Sequence, residues 1–112
     1  MATIFYSLVV ILLLSFISTI SQYNSSRAVL DKPEWRVVIY NNCNKCSMRN
    51  LTMTCAGFQS APAVDPALVL KSGDTCLING GRPILRSSSF TFYYVWDTTF
   101  EWEPVSGSVE CS

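Results

Sequence analysis

From Trp35 onward the chain repeatedly alternates apolar and polar side chains with a period of two, the spacing of strands that bury one face. Residues 35–40 are rich in β-branched and aromatic types and put Trp35, Val37 and Ile39 on one side. Residues 47–54 read as a second strand, with Leu51, Met53 and Cys55 sharing a face. A loop over 57–66 follows, marked by Gly57, Pro62 and Pro66. Residues 67–70 form a short apolar run closed by the turn cluster Ser72-Gly73-Asp74. Residues 76–79, the pair Gly80-Gly81 and residues 82–85 predict a hairpin, with Pro83 confining its second arm to an edge. The longest strand covers 89–97, with Phe90, Phe92, Tyr94 and Trp96 on one face, and a last strand covers 105–111. With no convincing helix or internal repeat, about six short strands predict an all-β fold, a small antiparallel β-sandwich or open barrel.

The N-terminus follows a different pattern. Residues 8–14 contain no polar side chain, and no charge precedes Arg27. The apolar core is too short to span a ~30 Å hydrocarbon layer comfortably. Thr19 and Ser21 then supply small residues at the −3 and −1 positions of a signal-peptidase site. A cleaved signal peptide is expected over 1–21, with Gln22 first in the mature chain; a retained anchor is the alternative. Residues 22–34 carry polar and charged groups without periodicity and are expected to form a loose N-terminal arm. A single cysteine-rich β domain is expected over 35–112. No other segment could span a membrane, so none is expected to hold the protein after signal cleavage.

Eight basic and eight acidic side chains balance, which gives no electrostatic reason to expect nucleic acid as a partner. The chain contains no His, which excludes His triads, His general bases and His metal sites. Asp65 and Asp97 are the tempting acids, but a retaining glycosidase needs two carboxylates about 5 Å apart in a cleft. Here they read as a Val-Asp-Pro turn and a strand-end acid. With no Asp-x-Asp pair and no nucleotide-binding β-α unit, the expectation is a non-enzyme with no cofactor and no metal.

A domain this small buries only about 60% of its unfolded surface and usually needs covalent staples. The five cysteines, Cys43, Cys46, Cys55, Cys76 and Cys111, read as a disulfide framework in an exported chain. Cys43-Asn-Lys-Cys46 lacks the second close pair of a four-thiolate zinc site and the βαβ context of a redox motif. Two residues apart, these cysteines are poorly placed to bridge each other, so each should seek a distant partner. Two disulfides and one unpaired thiol are expected, with the pairing open, and the odd thiol could link two chains as a dimer. Asn24-Ser-Ser26 and Asn50-Leu-Thr52 are glycosylation sequons.

Asn41-Asn-Cys43, Cys46, Cys55-Ala-Gly-Phe58, Val64-Asp-Pro66, Asp74-Thr-Cys76-Leu-Ile-Asn79, Gly81-Arg-Pro-Ile84, Phe92-Tyr-Tyr94, Trp96-Asp97, Phe100 and Cys111 fall in one order. Together they resemble the tapetum-determinant family of small secreted plant proteins, over about residues 34 to 112. The resemblance implies a signal-bearing, cysteine-rich β domain that works outside the cell, in the apoplast. It also implies a protein ligand for the ectodomain of a leucine-rich-repeat receptor kinase, setting cell fate in the anther and tapetum. Members commonly carry six cysteines, the first upstream of the first strand; residues 22–34 contain none, which accounts for the odd count. Docking is expected through loops 57–66 and 98–105, with Phe58, Asp65 and Trp102 as candidate contacts. Trp102, between Glu101 and Glu103, is the candidate exposed ring; the alternative is that such aromatics fill the core. An exposed Trp102 would suit a second function, an apoplastic carbohydrate- or cell-wall-binding module.

Overall fold

A computed structural model describes residues 18–111. Seven strands follow in order: β1 (Ser18–Val29), β2 (Lys32–Asn41), β3 (Cys46–Thr54), β4 (Val69–Ser72), β5 (Thr75–Ile78), β6 (Ser89–Val95) and β7 (Pro104–Cys111). They form two antiparallel sheets, of order β1-β2-β6 and β4-β5-β3-β7. The expected all-β sandwich is therefore the architecture observed. Alternation explains the packing: Val37 and Ile39 of β2 and Phe92 and Tyr94 of β6 are buried and share a core with Met48, Leu51, Met53, Cys76 and Ile78. Each large apolar side chain so buried contributes about 1.5–3 kcal/mol.

β1 corrects the sequence reading. The expected loose arm over 22–34 is instead a strand from Ser18 to Val29, paired with β2 from Ser18↔Asn41 to Val29↔Lys32. Its connection is the two-residue turn Leu30-Asp31, with φ of 52° and 62°. Such left-handed turns match the twist of a hairpin but normally carry Gly or Asn, which is why the turn is silent in the sequence. The expected signal peptide lies largely outside the described residues, but its last four positions, 18–21, belong to β1.

β3 keeps one face inward while its sequence parity shifts midway. Cys46 and Met48 are buried, then Leu51 and Met53, so the parity switches at Asn50. The pairing with β7 shifts between Arg49↔Ser108 and Thr52↔Ser106, so Asn50 and Leu51 lie opposite Gly107 alone. Asn50 sits at φ 53° in this bulge, a conformation Asn tolerates better than most residues. The expected Gly80-Gly81 hairpin is also corrected. Asn79–Gly81 form a 3-10 turn, and residues 82–85 form no strand, pairing with β3 through the isolated bridge Met48↔Ile84.

Two disulfides staple the four-stranded sheet. Cys46–Cys111 joins register partners on β3 and β7, and Cys55–Cys76 ties the end of β3 to β5. Cys43 and Cys46 are not bonded to each other, and Cys43 stays unpaired.

Candidate functional site

The sequence-predicted contact residues do not meet at the surface. Phe58 and Trp102 are only 8% and 6% exposed, so their candidacy as partner contacts is overturned. Both rings pack in the core, where Phe58 stands edge-on to Tyr94, Phe100 and Trp102 at 5.4, 5.5 and 5.0 Å. Edge-to-face pairs at these separations add to the apolar burial. The loops expected to dock a partner are thus joined through their aromatics. Glu101 and Glu103 are exposed while Trp102 between them turns inward, an alternation that was present in the sequence.

At the centre of this cluster sits Gln22 of β1, which sequence reasoning assigned only a place at the chain terminus. Its Nε2 donates to the Phe100 carbonyl (2.9 Å), and its Oε1 accepts from the Tyr94 hydroxyl and from Trp102 Nε1 (3.2 Å). The Tyr94 hydroxyl also accepts from Phe100 N–H (3.1 Å). Burial pushes the Tyr94 pKa up, with the Phe100 hydrogen bond opposing it. One side-chain amide therefore fastens β1 to β6 and to the loop ahead of β7.

The remaining candidates are dispersed. Asp65 is exposed and serves a turn: its Oδ1 accepts from Ala67 N–H (2.9 Å) and its carbonyl from Leu68 and Val69. Asp97 pairs with Lys32 at 2.9 Å. Asn24 and Asn50 are both exposed. Asn24 Oδ1 accepts from Ser26 N–H (2.7 Å), an Asx turn inside its own sequon, whereas Asn50 Oδ1 lies 3.0 Å from where a Cβ on Gly81 would stand. Buried Asn41 organises the turn that carries Cys43. Its amide donates to the Cys46 and Ile84 carbonyls (2.8 and 3.1 Å), and its Oδ1 accepts from Cys43 N–H (2.9 Å). No cluster of His, Cys, Asp or Glu suited to a metal occurs among the described residues.

The best-formed polar and aromatic surface is the outer face of the three-stranded sheet. Register aligns Tyr23, Arg36 and Tyr93 in one row, Ser21, Val38 and Thr91 in the next, and Thr19, Tyr40 and Ser89 in a third. Tyr23, Tyr40 and Tyr93 are 44%, 40% and 47% exposed. The Arg36 guanidinium lies 5.5 Å from the Tyr23 ring centroid. Outward side chains in register stand about 4.5–5.5 Å apart at Cβ, so Tyr93 flanks Arg36 on its other side.

Similarity to known proteins fits this stapled sandwich. The family model described as "Tapetum determinant 1, C-terminal" matches residues 17–112. The chain belongs to the tapetum-determinant family. An uncharacterized protein of Arabidopsis thaliana is 31% identical over 81 residues, 70% of this chain and 63% of its own length. TPD1 protein homolog 1 of the same plant is 30% identical over 70% of this chain and 44% of its own. TPD1 protein homolog 1B of Oryza sativa subsp. japonica is 29% identical over 80% of this chain and 53% of its own. The chain thus spans less than two thirds of the length of each of these relatives. No solved structure matches it.

Proposed function

We propose that this tapetum-determinant protein is a secreted, non-enzymatic ligand, recognised in the apoplast by the ectodomain of a leucine-rich-repeat receptor kinase. In this reading it contributes to cell-fate specification in the anther and tapetum. The observation that carries it is family membership across residues 17–112. The scaffold supports it physically: two disulfides and a shared aromatic core hold the sandwich rigid, and a preorganised ligand loses little entropy on docking. The carbohydrate-binding alternative relied on Trp102 as an exposed ring, and burial of that ring removes its support.

Purified mature protein should be captured by at least one member of a panel of plant leucine-rich-repeat ectodomains and stay in the supernatant over insoluble cellulose or xylan. Retention on the polysaccharide with no ectodomain bound would reverse the choice.

A further inference from the structure

Two cations on the three-stranded sheet lie over aromatic rings, and their surroundings differ. Lys32 Nζ is 5.2 Å from the Trp96 centroid and is neutralised by Asp97, with contacts of 3.0 and 2.9 Å. Arg36 lies over Tyr23 but makes no ion pair among the described residues, and its Nε is buried without a hydrogen-bond partner. The acid on its own strand and face, Glu34, accepts a hydrogen bond from Ser25 (2.8 Å) and forms no ion pair with it.

Resting on the receptor-ligand reading, we infer that the Tyr23–Arg36–Tyr93 row is the docking surface, and that its partner is a protein surface presenting an Asp or Glu carboxylate to Arg36. Three physical points lead there. A guanidinium set over the Tyr23 ring has its side-chain freedom restricted before any partner arrives, and its planar fork suits a carboxylate. Part of the desolvation that ion pairing demands is already present in the free protein, since Nε is covered and unsatisfied. Tyr and Arg are also the residue types that dominate protein interfaces energetically. The charge pattern narrows the partner further. Among Tyr23, Arg36 and Tyr93 and the neighbouring outward residues Val38, Thr91, Tyr40 and Ser89 of β2 and β6, Arg36 is the only charged side chain. The complement is therefore one acid within a mostly uncharged surface. A sugar ring fits less well, because the guanidinium lies over the Tyr23 ring on which a hexose would stack.

The test compares wild type with Arg36→Gln and Tyr93→Ser against the ectodomain panel. Both side chains project from the outer face, and far-UV circular dichroism with thermal melts verifies folding. Leu85→Ser, altering a 61%-exposed residue outside the three strands, serves as the control. Arg36→Gln should weaken capture by about tenfold or more, Tyr93→Ser should weaken it too, and Leu85→Ser should not. Wild-type affinity should also fall with added salt. If an ectodomain binds and both face variants bind it like wild type, this surface is wrong while the receptor reading stands. If no ectodomain binds wild type, both fail. Loss of self-association or of cellulose binding in Arg36→Gln, in place of ectodomain binding, would replace the acidic partner with a second copy or a polysaccharide.

Discussion

Replacing Gln22 with leucine keeps a similar volume and removes every polar contact of the amide. The Tyr94 hydroxyl and Trp102 Nε1 lose their acceptor, and the Phe100 carbonyl loses its side-chain donor. A stranded polar group costs about 1–3 kcal/mol when buried, and the half-buried position of Gln22 argues for the low end. Three such groups give about 3 kcal/mol, of which the added apolar surface of leucine returns about 1. A net loss of about 2 kcal/mol lowers the midpoint of a domain this size by about 8–16 °C. Thermal melts followed by tryptophan fluorescence read this directly, since Trp102 is a partner. The Gln22→Leu, Tyr94→Phe double-mutant cycle should show coupling of about 1 kcal/mol. A shift below about 3 °C, the size of an ordinary surface change, would refute the role assigned to Gln22. The site also bears on processing. A chain beginning at Gln22 would let its α-amine attack Cδ and expel ammonia, and the pyroglutamyl ring so formed has lost the Nε2 donor.

Other outcomes follow from the same geometry. Because burial raises the Tyr94 pKa, its contribution to stability is complete below the unfolded value of 10.0 and is lost as pH rises through the higher folded value. Melts in alkaline buffer should show that decline, and Tyr94→Phe should flatten it. Leu30→Asn should stabilise by about 1 kcal/mol in urea titrations, because Leu30 sits at φ 52°, is 70% exposed and loses little burial. Alkylation of denatured, non-reduced protein followed by mass spectrometry should mark Cys43 alone. Reduction should unfold the domain, since bridges spanning 65 and 21 residues are worth about 4 and 3 kcal/mol against a total of about 5–15. On secreted protein, a glycan removable by peptide-N-glycosidase should be lost in Asn24→Gln and kept in Asn50→Gln.

Sequence periodicity located β2, β3 and β6 because their inward residues are large and apolar, as with Val37 and Ile39 or Phe92 and Tyr94. β1 escaped for two reasons. Its inward set contains Gln22, a polar residue satisfied only by partners distant in the chain, and its turn uses Leu30-Asp31 without glycine. The unbroken face of β3 was half visible: Leu51 and Met53 alternate, but the bulge at Asn50 hides their alignment with Cys46 and Met48. Trp102 was misplaced because flanking charges suggest exposure, whereas strict alternation leaves the middle residue free to turn inward. The Tyr23–Arg36–Tyr93 row was invisible for a simpler reason. It spans three strands and exists only once the register is known.

Both covalent bridges lie within the four-stranded sheet, and none crosses to β1, β2 or β6. The two halves of the sandwich should therefore differ in how readily they open. In β3, β5 and β7, amide protons can exchange with deuterium only when segments tied by sulfur move together. Those of β1 can exchange through a smaller excursion, in which the strand detaches from β2 and the amide of Gln22 lets go. Such sub-global opening leaves the stapled half folded. The face that carries Arg36 thus belongs to the half without bridges, and a partner seated there should slow the exchange of β1 more than that of β3.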